Sequence, residues 1–272
     1  MTPAEPGTLI IAVGDEILGG FIVDTNSHWL AQRVREAGYP ATRIEVVPDR
    51  LTSIAAAVRT AVADPEATRI IVSGGLGPTT DDRTIEAVAA ALDRPLEEHP
   101  DAVGHVRGIV ERMHRAGWLP SAEPSEGNLK MTVVPRGAIV LFNRRGMAPG
   151  LAYRLGSGHG PDVPGAGETG ERWLFVLPGV PREFQAIVDE EVLPRFFTGS
   201  AAPDVGELHY RYAIEADFLE PMRTLEREFP DVAVGSYPQT ETRELIIRVR
   251  GARRDRVQAA LARLRALRPP DE

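Results

Sequence analysis

Short apolar runs rich in β-branched residues alternate with helix-period stretches through the first third of the chain, and that order leaves few folds open. Residues 8–13, 43–47 and 69–72 read as buried strands, and residues 24–37, 51–63 and 84–92 as helices following each of them. Gly38 supplies a stop for the first helix. Parallel strands cannot be joined by tight turns. Each needs a crossover, which is right-handed and lays its helix on the sheet. The expected fold class is therefore α/β, with a doubly wound, mainly parallel sheet covered on both faces.

Beyond Pro100 a longer helix is expected over 101–116, then strands over 131–134, 139–142, 150–155 and 172–177. The last two are joined by 156–171, whose glycines and prolines read as a mobile hairpin tip. Pro181 opens a helix running to about Phe197. The small, polar stretch 198–206 is the expected boundary, dividing a domain over 1–200 from a smaller one over 201–272. In the latter the order changes: strand 209–214, helix 217–229, hairpin strands 232–237 and 245–250, and helix 254–267 with Val257, Leu261 and Leu264 on one face. That β-α-β-β-α order describes an α+β plait.

Composition excludes several chemistries. The chain has no cysteine, which removes disulfides, thiolate metal sites and cysteine nucleophiles together. Its formal charge of −8 opposes binding to nucleic acid. Residues 1–7 lack the form of a signal peptide, and no window approaches the roughly 20 apolar residues of a membrane span. A cytoplasmic location without membrane partners is expected. The six histidines show no shared metal spacing, and Trp29, Trp118 and Trp173 read as packing residues. Lys130 is the chain's single lysine, in a background where arginine fills every other basic position.

The loop after the third strand reads Ser73-Gly74-Gly75-Leu76-Gly77-Pro78-Thr79-Thr80-Asp81-Asp82-Arg83-Thr84. Three glycines permit a sharp turn that bares N–H groups, and the helix behind adds the positive end of a dipole. Such a loop cradles phosphate, with Ser73, Thr79 and Thr80 as hydroxyl donors. The same spacing also serves a tight turn in which Asp81 or Asp82 merely caps the helix. A second loop, Gly14-Asp15-Glu16-Ile17-Leu18-Gly19-Gly20, leaves the first strand and leads to Asp24-Thr25-Asn26. Loops at the carboxyl ends of neighbouring strands open on one crevice. Asp15, Glu16, Asp24, Asp81 and Asp82 are expected to converge there, as ligands of a Mg²⁺ shared with phosphate or else as caps and solvated charges. Asp24 fits an N-cap. A third group, Asn128, Lys130, Asn143, residues 146–150 and residues 177–183, supplies further crevice loops or turns only.

Taken together, Gly14-Asp15-Glu16, Asp24-Thr25-Asn26, residues 73–79 with Asp82 and Thr84, Asn143, Ala148-Pro149-Gly150 and Leu177-Pro178-Gly179-Val180-Pro181 resemble, in order and spacing, the N-terminal region of CinA (competence/damage-inducible protein A). The first three groups also suit the wider molybdopterin-binding domain family. Gly235-Ser236-Tyr237-Pro238 resembles the second CinA domain, so the similarity covers nearly the whole chain. The resemblance implies that Gly14, Ser73, Gly74, Gly75, Gly77, Thr79, Thr84, Asn143, Pro149, Gly150, Pro178 and Gly179 bind a pterin or nucleotide phosphate. It implies Asp15, Glu16 and Asp82 as ligands of Mg²⁺ or another divalent cation. Catalytic roles fall to Asp15, Asp82 and Lys130, the last in an Asn-x-Lys element. Two positions differ from the family pattern: Met131 stands where Gln is usual, and Met147 where a small hydroxyl residue is usual.

The implied activity is metal-dependent hydrolysis of the pyrophosphate bond of ADP-ribose or a related dinucleotide. The alternative is a nucleotide-binding module or adenylyltransferase-like protein of molybdenum cofactor metabolism, with molybdopterin as ligand. The resemblance also implies a homodimer or other homo-oligomer. Nicotinamide mononucleotide deamidation is not expected, because the chain ends at Glu272, ahead of the CinA amidohydrolase domain.

Overall fold

A computed structural model of the chain describes residues 7–156 and 171–270, in two compact units, Met1–Ser200 and Ala201–Glu272. The first unit runs β1 (Gly7–Val13), α1 (Asp15–Leu18), α2 (Thr25–Glu36), β2 (Ala41–Val47), α3 (Leu51–Ala63), β3 (Ala67–Ser73), α4 (Thr84–Leu92), β4 (Leu96–Glu98) and α5 (Pro100–Arg115). It continues with α6 (Glu126–Lys130), β5 (Val133–Pro135), β6 (Ile139–Leu141), β7 (Gly150–Leu155), β8 (Arg172–Leu177) and α7 (Pro181–Ile187). A wider π turn over Val188–Val192 carries α7 into α8 (Leu193–Phe196). Pro194 has no N–H to offer the preceding turn, which accounts for the break in the ordinary helical ladder.

Six strands form one sheet in the order β2-β1-β3-β8-β7-β6. The first four are mutually parallel, and β7 runs antiparallel to both β8 and β6. The α/β expectation holds, with the reversed strand at one side. Strand side chains feed two apolar layers. Leu9, Ile11, Val72, Leu174 and Val176 meet Ile54 and Val58 of α3 and Val88 of α4, while Ile10, Ile71, Phe175 and Leu177 meet Leu30 and Val34 of α2 and Phe184 of α7. Because both faces are covered, β1 is buried at all seven positions, as the unbroken apolar run required. The carboxyl ends of β1, β2, β3 and β8 consequently lie at one edge of a rigid layer.

Two elements of this unit escaped the sequence reading. Residues 131–134 were expected as a strand, but Met131 closes α6, and β5 begins only at Val133. Helix α6 is started by a capping box between Ser125 and Asn128, a pairing with Asn where Glu or Gln is usual. The short β4, paired with β5, was not foreseen. Of the expected mobile tip, residues 157–170 lie outside the described residues. Trp29 and Trp173 pack against Phe184 and Phe196, whereas Trp118, also expected to pack, is 75% exposed.

The second unit comprises β9 (Asp204–Arg211), a 3₁₀ turn over Glu215–Phe218, α9 (Leu219–Glu228), β10 (Val232–Gln239), β11 (Glu244–Gly251) and α10 (Arg254–Leu267). Its antiparallel sheet has the order β10-β11-β9, and Leu208, Tyr210, Ile247 and Val249 pack against Phe218, Leu225, Val257, Leu261 and Leu264. The strand expected over 209–214 instead starts at Asp204 and stops at Arg211, because Tyr212 adopts a left-handed φ of 55°. Among the described residues, no helix is long and apolar enough to cross a membrane.

Candidate functional site

The glycine loop after β3 is built around close backbone approach. Gly74 has φ 110°, and a Cβ there would collide with the Val13 carbonyl oxygen at the end of β1; Gly75, at φ 65°, leaves no room beside the Thr84 hydroxyl. Only glycine satisfies both demands. The Gly74 N–H donates to Leu177 O at 3.0 Å, and the Thr84 hydroxyl donates to Gly74 O at 2.8 Å, tying the loop to β8 and to α4. The N–H groups of Gly75, Leu76 and Gly77 have no acceptor among the described residues. The loop thus presents three bare amides at a strand's carboxyl end.

Gly75, Leu76 and Gly77 line a cavity of about 760 Å³, and also a smaller one of about 220 Å³ whose wall includes Asp82 and Lys130. The acidic loop after β1 enters the larger cavity through Glu16, so the two bends do share one crevice. Six carboxylates line it, from Glu16, Asp24, Asp49, Asp81, Asp82 and Glu183, and its described lining includes no Lys, Arg or His. Asp49 Oδ2 accepts the Asp15 backbone N–H at 2.7 Å. Burial raises the Asp49 pKa above the usual carboxylate value, and the negative charges of Glu16, Asp15 and Asp81 push it the same way, although that hydrogen bond pulls back. Asp82 Oδ2 accepts from the Thr79 N–H at 2.9 Å and from the Thr79 hydroxyl. Asp24 caps α2 through the Ser27 N–H at 2.9 Å, as its position suggested.

Of the residues anticipated from sequence, Glu16, Ser73, Gly74, Gly75, Gly77, Asp82, Pro178 and Gly179 line the cavity. Gly14, Asp15, Thr79, Thr84, Lys130, Asn143, Pro149 and Gly150 do not. Lys130, expected to touch phosphate, instead donates from Nζ to the carbonyl oxygens of Thr79 at 2.5 Å and Asp82 at 2.6 Å, clasping the turn that carries Asp82. Thr84 spends its hydroxyl inside the loop. Asn143 is buried and satisfied on both sides of its amide: it donates to Ala148 O and Glu183 Oε2 and accepts from the N–H groups of Arg145 and Gly146. Gly150 packs where a Cβ would stand 2.9 Å from Leu177 Cδ2. Gly14 is buried at the end of β1 with its N–H on Val47 O. Thr84, Asn143, Gly150 and Gly14 thus hold the loops around the cavity in place.

Sequence reasoning missed Asp49. The signal was present, since Val47-Pro48-Asp49 leaves the carboxyl end of the strand next to β1, where the crevice rule places ligand loops. For a cation, Asp15 is not part of the cavity wall, and among the described residues no three His, Asp or Glu side chains are arranged to hold one ion. One or two of the lining carboxylates would suffice for Mg²⁺ only together with phosphate and water oxygens of a ligand.

Comparison with known proteins shows the family. Residues 9–198 match the family described as "Probable molybdopterin binding domain", and residues 209–272 match "FAD synthase, middle domain". A protein of Pyrococcus horikoshii, PH0439, is 41% identical over 187 residues, 68% of this chain and 67% of its own length. A CinA-like protein of Anaeromyxobacter sp. is 38% identical over 186 residues, which span 68% of this chain but only 40% of that protein. The crystal structure of CinA from Thermoplasma acidophilum, described as a protein with unknown function, superposes with a TM-score of 0.55 at 30% identity, covering 68% of this chain and 95% of that one. With the glycine loop, the acidic crevice and these likenesses over residues 9–198, the chain belongs to the molybdopterin-binding domain family, in its CinA-like branch.

Proposed function

We propose that the first unit hydrolyses the pyrophosphate bond of ADP-ribose or a related dinucleotide with the help of a divalent cation. One observation carries the reading: bare loop amides and six carboxylates share a cavity whose described lining has no basic side chain. Amides favour an anion at Gly75 and Gly77, but carboxylates repel it unless a cation intervenes. Bound there, a divalent cation supplies charge neutralisation and an activated water.

The residues divide the remaining work. The N–H groups of Gly75, Leu76 and Gly77 hold phosphate oxygens as charge develops on them. Asp82, fixed by Thr79 and by the Lys130 clasp on its turn, presents one carboxylate edge to the cavity. Asp49 Oδ1 lies 3.6 Å from the Cβ position of Gly75, and its carboxylate takes the proton from the attacking water. The water oxygen bonds to one phosphorus and the bridging P–O bond breaks, leaving AMP and ribose 5-phosphate. Incubating the full chain with ADP-ribose and Mg²⁺ should release AMP, and Asp82→Asn and Asp49→Asn should each abolish release. A folded wild type without turnover, or a normal Asp82→Asn, refutes the reading.

The family description favours a second reading, in which the cavity holds molybdopterin for binding or adenylyl transfer. A pterin released on gentle denaturation and identified by mass spectrometry would establish it over hydrolysis.

A further inference from the structure

Three large apolar side chains in the wall of this cavity stand open to water. Ile22, Val23 and Val180 line it, with 52%, 81% and 54% of their surface exposed. Asn26 Nδ2 donates to Gly179 O at 2.8 Å, joining the chain that follows Val23 to the loop that carries Val180. Gly179 in turn abuts the glycine loop, since a Cβ on it would stand 3.2 Å from Gly74 Cα. The apolar group therefore adjoins the Gly74 end of that loop. At its other end Asp49 approaches Gly75, and Asp82 folds against Gly77. Asp49 and Asp82 thus flank the bare amides, while Asp24 and Glu183 belong to the same wall as the apolar group.

We propose that Ile22, Val23 and Val180 form a shelf for the flat heteroaromatic ring of the ligand, whose phosphates run along residues 75–77 toward Asp49 and Asp82. The inference deepens the phosphate reading above and rests on it. A cavity of about 760 Å³ matches a nucleotide-sized ligand rather than an isolated pyrophosphate. Apolar side chains this exposed gain when an aromatic face covers them. The shelf makes the site select phosphates that carry a ring over those that do not. Leu18 and Phe21, in the same segment and also exposed, do not line the cavity and take no part.

The test is calorimetric binding to the full chain with Mg²⁺, using ADP, a pterin diphosphate and inorganic pyrophosphate as probes. Wild type should bind at least one ring-bearing diphosphate about tenfold or more tighter than pyrophosphate, and the tighter of the two names the ring. Val23→Ser and Val180→Ser should each weaken that ligand by roughly tenfold and leave pyrophosphate unchanged, as expected for removing one aliphatic contact. Phe21→Ser should change none of the three. The shelf is overturned if pyrophosphate weakens in parallel, if neither valine variant affects ring-bearing ligands, or if Val23→Ser alters only the sedimenting mass, which would make the patch a contact between copies. Tight, valine-dependent ADP binding without AMP release from ADP-ribose upholds the shelf and rejects only the hydrolase.

Discussion

Replacing Lys130 with Met keeps the length of the side chain and removes its ammonium, so it isolates the clasp on the Thr79–Asp82 turn. The wild-type Nζ makes two hydrogen bonds, at 2.5 and 2.6 Å, to carbonyl oxygens three residues apart. Hydrogen bonds to a charged donor are worth about 1.5–3 kcal/mol each. Lys130 is only partly buried, and water replaces part of what is lost, which brings the expected net cost to about 2 kcal/mol. Trp29, Trp118 and Trp173 all lie in the first unit, so urea unfolding followed by tryptophan fluorescence reports on that unit alone. Lys130→Arg should not restore stability, because a planar guanidinium cannot converge on two carbonyls as a compact ammonium does. Pyrophosphate binding should weaken in both variants as the Asp82 turn loosens. The reasoning fails if Lys130→Met costs less than about 0.5 kcal/mol, or if it keeps full stability while losing phosphate, which would mean that the ammonium touches the ligand.

Three other changes test separate parts of the architecture. Gly74→Ala, at φ 110° and against the Val13 carbonyl, should cost roughly 2–4 kcal/mol in the same unfolding assay and remove phosphate binding. Asp49 has a raised folded pKa, so its contribution to stability is present below about pH 4 and is lost as pH rises through that folded value. Asp49→Asn should therefore stabilise the cation-free protein near neutrality, with no gain at pH 3.5, while abolishing Mg²⁺-dependent turnover; equal effects at both pH values would contradict this. His105, whose pKa is lowered by burial and by Arg112, behaves oppositely: its contribution is full above about pH 6.5 and drains away as pH falls below it. His105→Leu, which also removes a buried Nε2 without a partner, should flatten that decline, whose slope in the wild type cannot exceed about 1.4 kcal/mol per pH unit. Urea midpoints at pH 7.5 and 5.5 measure both slopes.

Elements whose signal is carried by their own period were legible in the sequence: α3, α4, β7, β8 and α10 fall where periodicity placed them. Helix α6 was not, because its start depends on an Asn128 side chain returning to Ser125, and its five residues are too few to show a period. The crevice was legible for a topological reason, since parallel β1 and β3 must end on the same edge. Of the five carboxylate residues expected there, Glu16, Asp24, Asp81 and Asp82 line it and Asp15 does not.

Residue types and their order determined the α/β class, the two-part division of elements, the glycine loop and its acidic neighbour, since each depends on local period, backbone freedom or strand direction. Three-dimensional packing alone decided that Lys130 clasps two carbonyls and that Asn143 and Thr84 spend their polar atoms inside loops. A polar side chain has several partners within reach along the chain, and its choice among them depends on atoms that come close only when distant strands pack side by side.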